Sequence, residues 1–342
     1  KIVSVSRSVP SKIVTNDDIV QWVHEANQDR HPLNLRNRFE RRIRDFLEAG
    51  GTQVRHYRDD GERSIDLALA ATRQAMAKAG LAPEDVDFVT YVGVGRGWIE
   101  PAMANLIQHK MGLRNATGFD ILDACASWVR ALQIVHGLFK GGQYRNGIIV
   151  NWECNWRERL VLDIGDEADL ERRLASFTVG EAATATIVSN ENVEDDFYFT
   201  FKTFGEHLDL CMIPLGNVGE FLPEANEITE CHHQFVARSP ELLKVAFKTA
   251  VETYRGDSHL KSSEYDLILS HAIGRACWYI GRKLKLPMDN YLDTHPRFGN
   301  TVSASVPVGM SLALEEGKLN CGDKVLMVVP SAGFTIGYVS FT

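Results

Sequence analysis

No apolar run in this chain approaches the roughly 20 residues that a membrane-spanning helix needs, and the stretch opening at Lys1 carries no signal-peptide pattern. No membrane association is expected, and the expected location is the cytoplasm. Basic charge is also short: 37 Lys and Arg against 45 Asp and Glu leave a formal net charge of −8, which argues against nucleic acid as the main partner. The six cysteines, at 125, 154, 211, 231, 277 and 321, show neither the clustering of a disulfide framework nor zinc-site spacing. Glu230-Cys231-His232-His233 offers metal-ligand types, but no second cluster completes a tetrahedral site. No metal is expected, and the thiols are expected to stay reduced and available for chemistry. What is present, 342 residues with 44% hydrophobic and 24% charged, suits a soluble globular protein of one large domain or two fused halves.

Strands alternate with helices along the chain, which predicts an α/β fold with a largely buried sheet. In the first half, strands are expected at Lys1–Val5, Asp87–Val94, Phe119–Leu122, Asn146–Asn151 and Ala182–Val188. Helices are expected from the Thr15-Asn16-Asp17-Asp18 cap to Val23, over Ser64–Lys78, from Pro101 to Met111 and over Ala126–Phe139. Gly93-Val94-Gly95-Arg96-Gly97 is no dinucleotide fingerprint, because Trp98-Ile99-Glu100-Pro101 separates it from the next helix. The second half repeats the rhythm: helices at Pro240–Tyr254, Gly274–Leu284 and Ser303–Glu316, strands at Tyr265–Leu269 and Lys324–Val329. Both halves end on small residues around a turn and then a strand, from Gly180 and from Ser331, which points to a duplicated unit with halves 1–192 and 193–342.

Within this frame Cys125 falls where the Phe119–Leu122 strand gives way to a helix. Unpaired N–H groups and the positive dipole end there favour an anion, so a stabilised thiolate is expected. The competing view is a buried, inert thiol. Active sites in open α/β sheets lie beyond the carboxyl ends of strands, and two more polar residues occupy such ends. His271 follows Asp266-Leu267-Ile268-Leu269, and Asn300 lies just before a helix. A thiolate that takes an acyl group from a thioester, with imidazole and amide donating to a developing oxyanion, is a coherent chemical set. Arg36, Arg38, Arg41, Arg42 and Arg44 crowd one helix, and Arg157, Arg159, Arg172 and Arg173 form a second basic region. They are either solvated faces or a dock for a phosphorylated or acidic partner.

Four motifs in order resemble the ketoacyl-acyl-carrier-protein synthase III branch of the thiolase superfamily. They are Val9-Pro10-Ser11-Lys12-Ile13-Val14-Thr15-Asn16, Asp123-Ala124-Cys125-Ala126, Gly299-Asn300-Thr301-Val302-Ser303-Ala304-Ser305-Val306-Pro307 and Gly333-Phe334-Thr335-Ile336-Gly337. The resemblance implies a five-layered αβαβα thiolase fold and a homodimer. It also implies acyl-coenzyme A or acyl-carrier-protein substrates without a further cofactor, and a Cys125, His271, Asn300 catalytic set with a Gly333 loop. The sequence departs from the family at His271-Ala272-Ile273-Gly274-Arg275, where housekeeping enzymes read His-Gln-Ala-Asn, and between Gln21 and Val54, where Trp22 sits earlier than the usual coenzyme A clamp. Ile99-Glu100-Pro101-Ala102 is similar to the branch that joins two acyl chains head to head without decarboxylation, in olefin, dialkylresorcinol and α-pyrone pathways. This resemblance implies that Glu100 serves as a base from the partner subunit. Such a base is needed because an ordinary thioester, unlike malonyl, must lose an α-proton, and a carboxylate in an apolar pocket suits that task. The competing view is an exposed acid ahead of a helix, where acids are favoured in any case. Decarboxylative condensation with a malonyl carrier, or acyl transfer to an alcohol or amine, stand as alternatives. Arg38, Arg41, Arg42, Arg275 and Arg282, with Lys283, suit a nucleotide phosphate or an acidic carrier-protein helix.

Overall fold

Two five-stranded sheets of one design lie at the centre of the computed structural model, which describes residues 1–191, 197–224, 228 and 231–342. The first half supplies β1 (Ile2–Ser8), β2 (Lys12–Thr15), α1 (Asn16–Ala26), α2 (Leu33–Gly50), β3 (Val54–Tyr57), α3 (Ser64–Ala79), β4 (Phe88–Val92), α4 (Ala104–Lys110), β5 (Thr117–Ile121), α5 (Ser127–Lys140), β6 (Asn146–Glu153), α6 (Glu167–Arg173) and β7 (Ala182–Ser189). The second supplies β8 (Tyr198–Thr203), β9 (Cys211–Met212), β10 (Val236–Ala237), α7 (Ser239–Gly256), α8 (Ser258–Ser262), β11 (Leu267–Ser270), α9 (Arg275–Leu284), β12 (Tyr291–Leu292), α10 (His295–Phe298), α11 (Ser305–Glu315), β13 (Val325–Ser331) and β14 (Thr335–Phe341).

The strand orders are β5-β4-β6-β7-β1 and β12-β11-β13-β14-β8. In both, the first two pairings are parallel and the last two antiparallel. The divide expected at 192/193 falls outside the described residues. The central strands read as unbroken apolar runs because they are covered on both faces. Val129, Leu132 and Val135 of α5, with Val306 and Met310 of α11, pack between Phe88 and Ile149 of one sheet and Leu269 and Met327 of the other. Leu67, Ala71 and Ala75 of α3 and Ile107 of α4 cover the outer face of the first sheet. Ala246 and Ala250 of α7 and Ile280 of α9 cover that of the second. The result is the expected αβαβα layering, in which α5 and α11 are the buried middle layer.

Two local expectations change. The helix expected from Pro101 starts only at Ala104, because the Asp120 carboxylate of β5 accepts the N–H groups of Met103 (2.8 Å) and Ala104 (3.0 Å) and fixes the cap there. Pro101 belongs to the preceding loop. The helix expected from Ser303 begins as a tight turn, Val302–Ala304, before α11. That turn matters for the site.

Candidate active site

The chain leaves β5, makes a single turn at Ala124–Ala126 and enters α5. Ala124 is held at φ +44, a left-handed conformation unusual for a residue with a Cβ. The strain is held by the other half of the chain. The Ser331 hydroxyl, at the end of β13, accepts the Ala126 N–H (3.1 Å) and donates to the Asp123 carbonyl (3.0 Å). Next to it, the Ala332 N–H is directed at the Cys125 sulfur. The closing loop thus meets the cysteine through Ser331 and Ala332, with the expected Gly333 one residue further on at φ +122.

The expected thiolate is not favoured. Burial pushes the Cys125 thiol well above its ordinary value, with smaller pushes from Cys211 and Glu153, and the Ala332 N–H offsets only part. The helix start does not prevail because the sulfur lies in an apolar pocket, among Val94, Trp156, Val179, Ile213, Phe235 and Val302. The resting group is a thiol, and its proton must be moved as it reacts.

His271, only 2% exposed, follows β11 directly. Burial drives its pKa down to about 3, aided by neighbouring His295 and opposed by the Val302 carbonyl, so the ring is neutral at any ordinary pH. Nδ1 lies 3.2 Å from Ser305 Oγ, and Ser305 spends its own proton on the Val302 carbonyl (2.8 Å). Its oxygen is therefore left to accept, which places the ring proton on Nδ1 and leaves Nε2 bare. Asn300 is fixed at both ends. Its N–H donates to the Thr178 carbonyl (2.8 Å), its carbonyl accepts from Gly180 (3.0 Å), and its Oδ1 accepts the Val302 N–H (2.9 Å). With Oδ1 engaged, Nδ2 is the donor left for a ligand. The approach is close: a Cβ on Gly180 falls 2.1 Å from the Phe298 carbonyl, and one on Gly299, at φ +67, falls 2.5 Å from that of Thr178. Only glycine fits either position.

Val302 is the hub. Its side chain packs with Cys125, its N–H orients Asn300, and its carbonyl lies beside the His271 ring. A β-branched residue at φ +50 is an outlier that needs a reason, and that threefold duty supplies one.

Glu100 stands apart. It is exposed, at the tip of a loop anchored by the Arg96–Asp120 ion pair (2.9 Å), with Trp98 and Ile99 also exposed beside it. The expected apolar pocket is not built around it by its own chain. The arginines of α2 are largely committed: Arg38 pairs with Glu167 (2.9 Å), Arg42 with Glu171 (2.5 Å) and Arg44 with Asp17. Arg41 has no ion-pair partner among the described residues. On α9, Arg275 rests against Gly51, and Arg282 stacks over Trp278 (4.9 Å). These two and Lys283 are exposed on the helix that leaves His271. Glu230 of the Glu230-Cys231-His232-His233 segment lies outside the described residues, and the described ones hold no cluster of metal-ligand type.

Sequence reasoning missed Glu153. It ends β6, is fully buried, accepts from Ser303 Oγ (2.5 Å) and the Val94 N–H (3.1 Å), and has no hydrogen-bond partner for Oε2 among the described residues. Burial raises its pKa to about 7, against the opposing pulls of Ser303, Val94 and Arg159. The signal was present: Ile148-Ile149-Val150-Asn151-Trp152-Glu153 is an apolar strand ending on an acid at its carboxyl end.

The geometry agrees with the kinship. Residues 119–205 match the family model of 3-oxoacyl-(acyl-carrier-protein) synthase III, and residues 257–342 match that of its C-terminal part. The β-ketoacyl-(acyl-carrier-protein) synthase III of Koribacter versatilis is 26% identical over 98% of this chain and 96% of its own length. That of Sulfurimonas denitrificans is 27% identical over 98% and 95%. Among solved structures, cerulenin-bound Xanthomonas campestris OleA superposes with a TM-score of 0.80 at 19% identity, covering 99% of this chain and 95% of that one. The Aquifex aeolicus 3-oxoacyl-(acyl-carrier-protein) synthase III superposes with a TM-score of 0.79 at 22% identity, covering 99% and 98%. At these identities the two structures speak for the fold.

Proposed function

This chain belongs to the synthase III-like condensing enzymes of the thiolase superfamily, acyltransferases that work on acyl thioesters without a cofactor, and on that premise we propose that it joins two acyl thioesters without decarboxylation. The observation that most supports a condensing site is the Val302 hub, where Cys125, His271 and Asn300 meet one turn, and the exposed Glu100 beside Trp98 and Ile99 favours the reading without decarboxylation.

In the first half-reaction Cys125 Sγ attacks the thioester carbon. His271 Nε2 takes the thiol proton as the new S–C bond forms, and the Ala332 and Cys125 N–H groups steady the oxyanion. Collapse breaks the carrier's C–S bond, and the leaving sulfur takes the proton back from the ring. The imidazolium is transient because the site disfavours its charge. In the second half-reaction Glu100 of a second copy takes the α-proton of the incoming thioester, and Asn300 Nδ2 donates to the enolate oxygen. The resting His271 ring adds a donor there only after it has gained a proton. The enolate carbon attacks the acyl carbon, the S–C bond to Cys125 breaks, and the electron pair returns to Sγ; the α-proton held by Glu100 is passed to Sγ through the His271 ring, which restores both the carboxylate and the thiol. A β-keto product leaves.

The homodimer this requires is supported by the exposed edge of β5 and by the Trp98-Ile99 tip, where Ile99 is 73% exposed, next to Glu100. Paired through that edge, the loop of one copy reaches toward the site of the other. The carrier, coenzyme A or acyl carrier protein, docks at Arg41 of α2 and at Arg275, Arg282 and Lys283 of α9, exposed side chains with no ion pair among the described residues. The alternative is malonyl decarboxylation, in which Glu100 has no role.

Intact-mass analysis after incubation with an acyl-coenzyme A is expected to show an acyl adduct that Cys125→Ser abolishes. With a second, labelled thioester, condensed product is expected without carbon dioxide release, and Glu100→Gln is expected to keep the adduct while losing product. Stoichiometric carbon dioxide from a malonyl thioester, with Glu100→Gln fully active, overturns the proposal.

A further inference from the structure

The loop that leaves β4 and the turn that carries Asn300 come from opposite halves of the chain, and one buried carboxylate joins them. Glu153 Oε1 accepts the Val94 N–H of that loop and the Ser303 hydroxyl of the Asn300 turn. The backbone is drawn tight around the end of β6: a Cβ on Gly93 falls 2.6 Å from Glu153 Oε1, and one on Gly95 falls 2.2 Å from the Trp152 carbonyl and 3.2 Å from Glu153 Oε2. This accounts for two glycines of the Gly93-Val94-Gly95-Arg96-Gly97 string that no nucleotide motif explains. Ser303 is held from a second side by Asn151 Nδ2 (3.3 Å), and Asn151 Oδ1 takes the Thr184 hydroxyl. Val94 packs in the same apolar cluster as Cys125 and Val302. The β4-exit loop continues through Arg96 to Glu100 at its tip.

We propose that Glu153 is a positioning residue for the condensation step, setting the Asn300 turn and the β4-exit loop in register through Ser303 and Val94. It does not hold Cys125, whose turn is fixed by Ser331 and Ala332. Loss of Glu153 therefore separates the two half-reactions. An ionised carboxylate binds both donors more strongly than a neutral one, so the grip tightens as the group titrates near neutrality. The groups bearing on that titration are Arg159 beyond β6, Tyr91 of β4, Cys125 at the head of α5 and the neighbouring Cys154, while the Asn300 turn contributes the uncharged Ser303. The inference rests on the condensing activity proposed above, but not on whether the second thioester is decarboxylated.

The test compares wild type with Glu153→Leu, Glu153→Gln and Ser303→Ala. Acylation is read by intact mass under single-turnover conditions, and condensation by product formed from preacylated enzyme. Glu153→Leu and Ser303→Ala are expected to slow condensation tenfold or more and acylation less than threefold. Glu153→Gln keeps an acceptor at Oε1 and is expected to recover most of the rate at pH 6. It is also expected to lose the wild-type rise in condensation rate between pH 6 and 8. If Glu153→Leu fails to fold, Ser303→Ala carries the same comparison. Equal slowing of both half-reactions, or a wild-type pH profile in Glu153→Gln, overturns the inference. A wild type that acylates but condenses with no second thioester overturns the functional reading instead.

Discussion

Two buried groups at this site titrate on the wrong side of their ordinary values in opposite senses, and together they nearly hide each other from a stability measurement. His271 is pushed down from 6.5 to about 3, so its contribution is complete above 6.5 and is lost as pH falls toward 3. Glu153 is pushed up from 4.5 to about 7, so its contribution is complete below 4.5 and is lost as pH rises through 7. Between pH 7 and pH 5 the unfolded chain takes up nearly a full proton at His271 while the fold takes none, a loss of roughly 2 kcal/mol. Over the same interval the fold finishes protonating Glu153 while the unfolded chain barely starts, a gain of roughly 2 kcal/mol. Urea titrations at both pH values measure the change directly. Relative to wild type, His271→Gln is expected to gain about 2 kcal/mol on acidification, and Glu153→Gln to lose about 2 kcal/mol. The double variant is expected to track wild type, with the other titrating groups cancelling in each difference. If either single variant follows the wild-type change to within about 0.5 kcal/mol, the burial attributed to that group is refuted.

Alkylation of Cys125 by iodoacetamide is expected to keep accelerating through pH 9, because burial holds the thiol protonated; a plateau by pH 7 contradicts this. Gly180→Ala, whose Cβ falls 2.1 Å from the Phe298 carbonyl, is expected to lower stability by about 2–4 kcal/mol in a urea titration and to displace Asn300, with an unchanged midpoint as the contrary result. Ser331→Ala removes the hydroxyl that bridges the Ala126 N–H and the Asp123 carbonyl and leaves those two groups paired only with each other (2.9 Å). Its expected cost is about 0.5–1.5 kcal/mol, and acylation is expected to slow more than condensation; an unaltered acylation rate counts against a role for Ser331 at the cysteine turn.

The layers and most strands were legible because the central strands are apolar on both faces and their helices end in recognisable caps, as at Gly80 after α3. The placement of Cys125, His271 and Asn300 was legible because Cys125 and Asn300 lie at helical turns and His271 follows a strand, where side chains escape the sheet. Their electrostatics were not legible. The dipole argument for a Cys125 thiolate was sound locally, but Trp156, Val179 and Phe235 come from distant segments and bury the sulfur. Proline at a helix start was likewise a fair expectation for Pro101, and the carboxylate that moves the start to Ala104 lies on another strand. The arginines of α2 stood open between a solvated face and a dock, and Glu167 and Glu171, far along the chain, pair with two of them. Each miss arises from a contact between residues remote in sequence. Glu153 differs, since an acid closing an apolar strand was visible in the sequence itself.

The two halves hold each other's chemistry. Asn300 belongs to the second half, yet its backbone is pinned by Thr178 and Gly180 of the first. Cys125 belongs to the first half, yet its turn is pinned by Ser331 and Ala332 of the second. A nascent chain with only its first half folded therefore has a cysteine but no constrained elbow and no amide to face an enolate. On the roles proposed for Cys125 and Asn300, reactivity arrives only when the halves dock, and a partly made molecule is kept from taking up thioesters that it has no means of turning over.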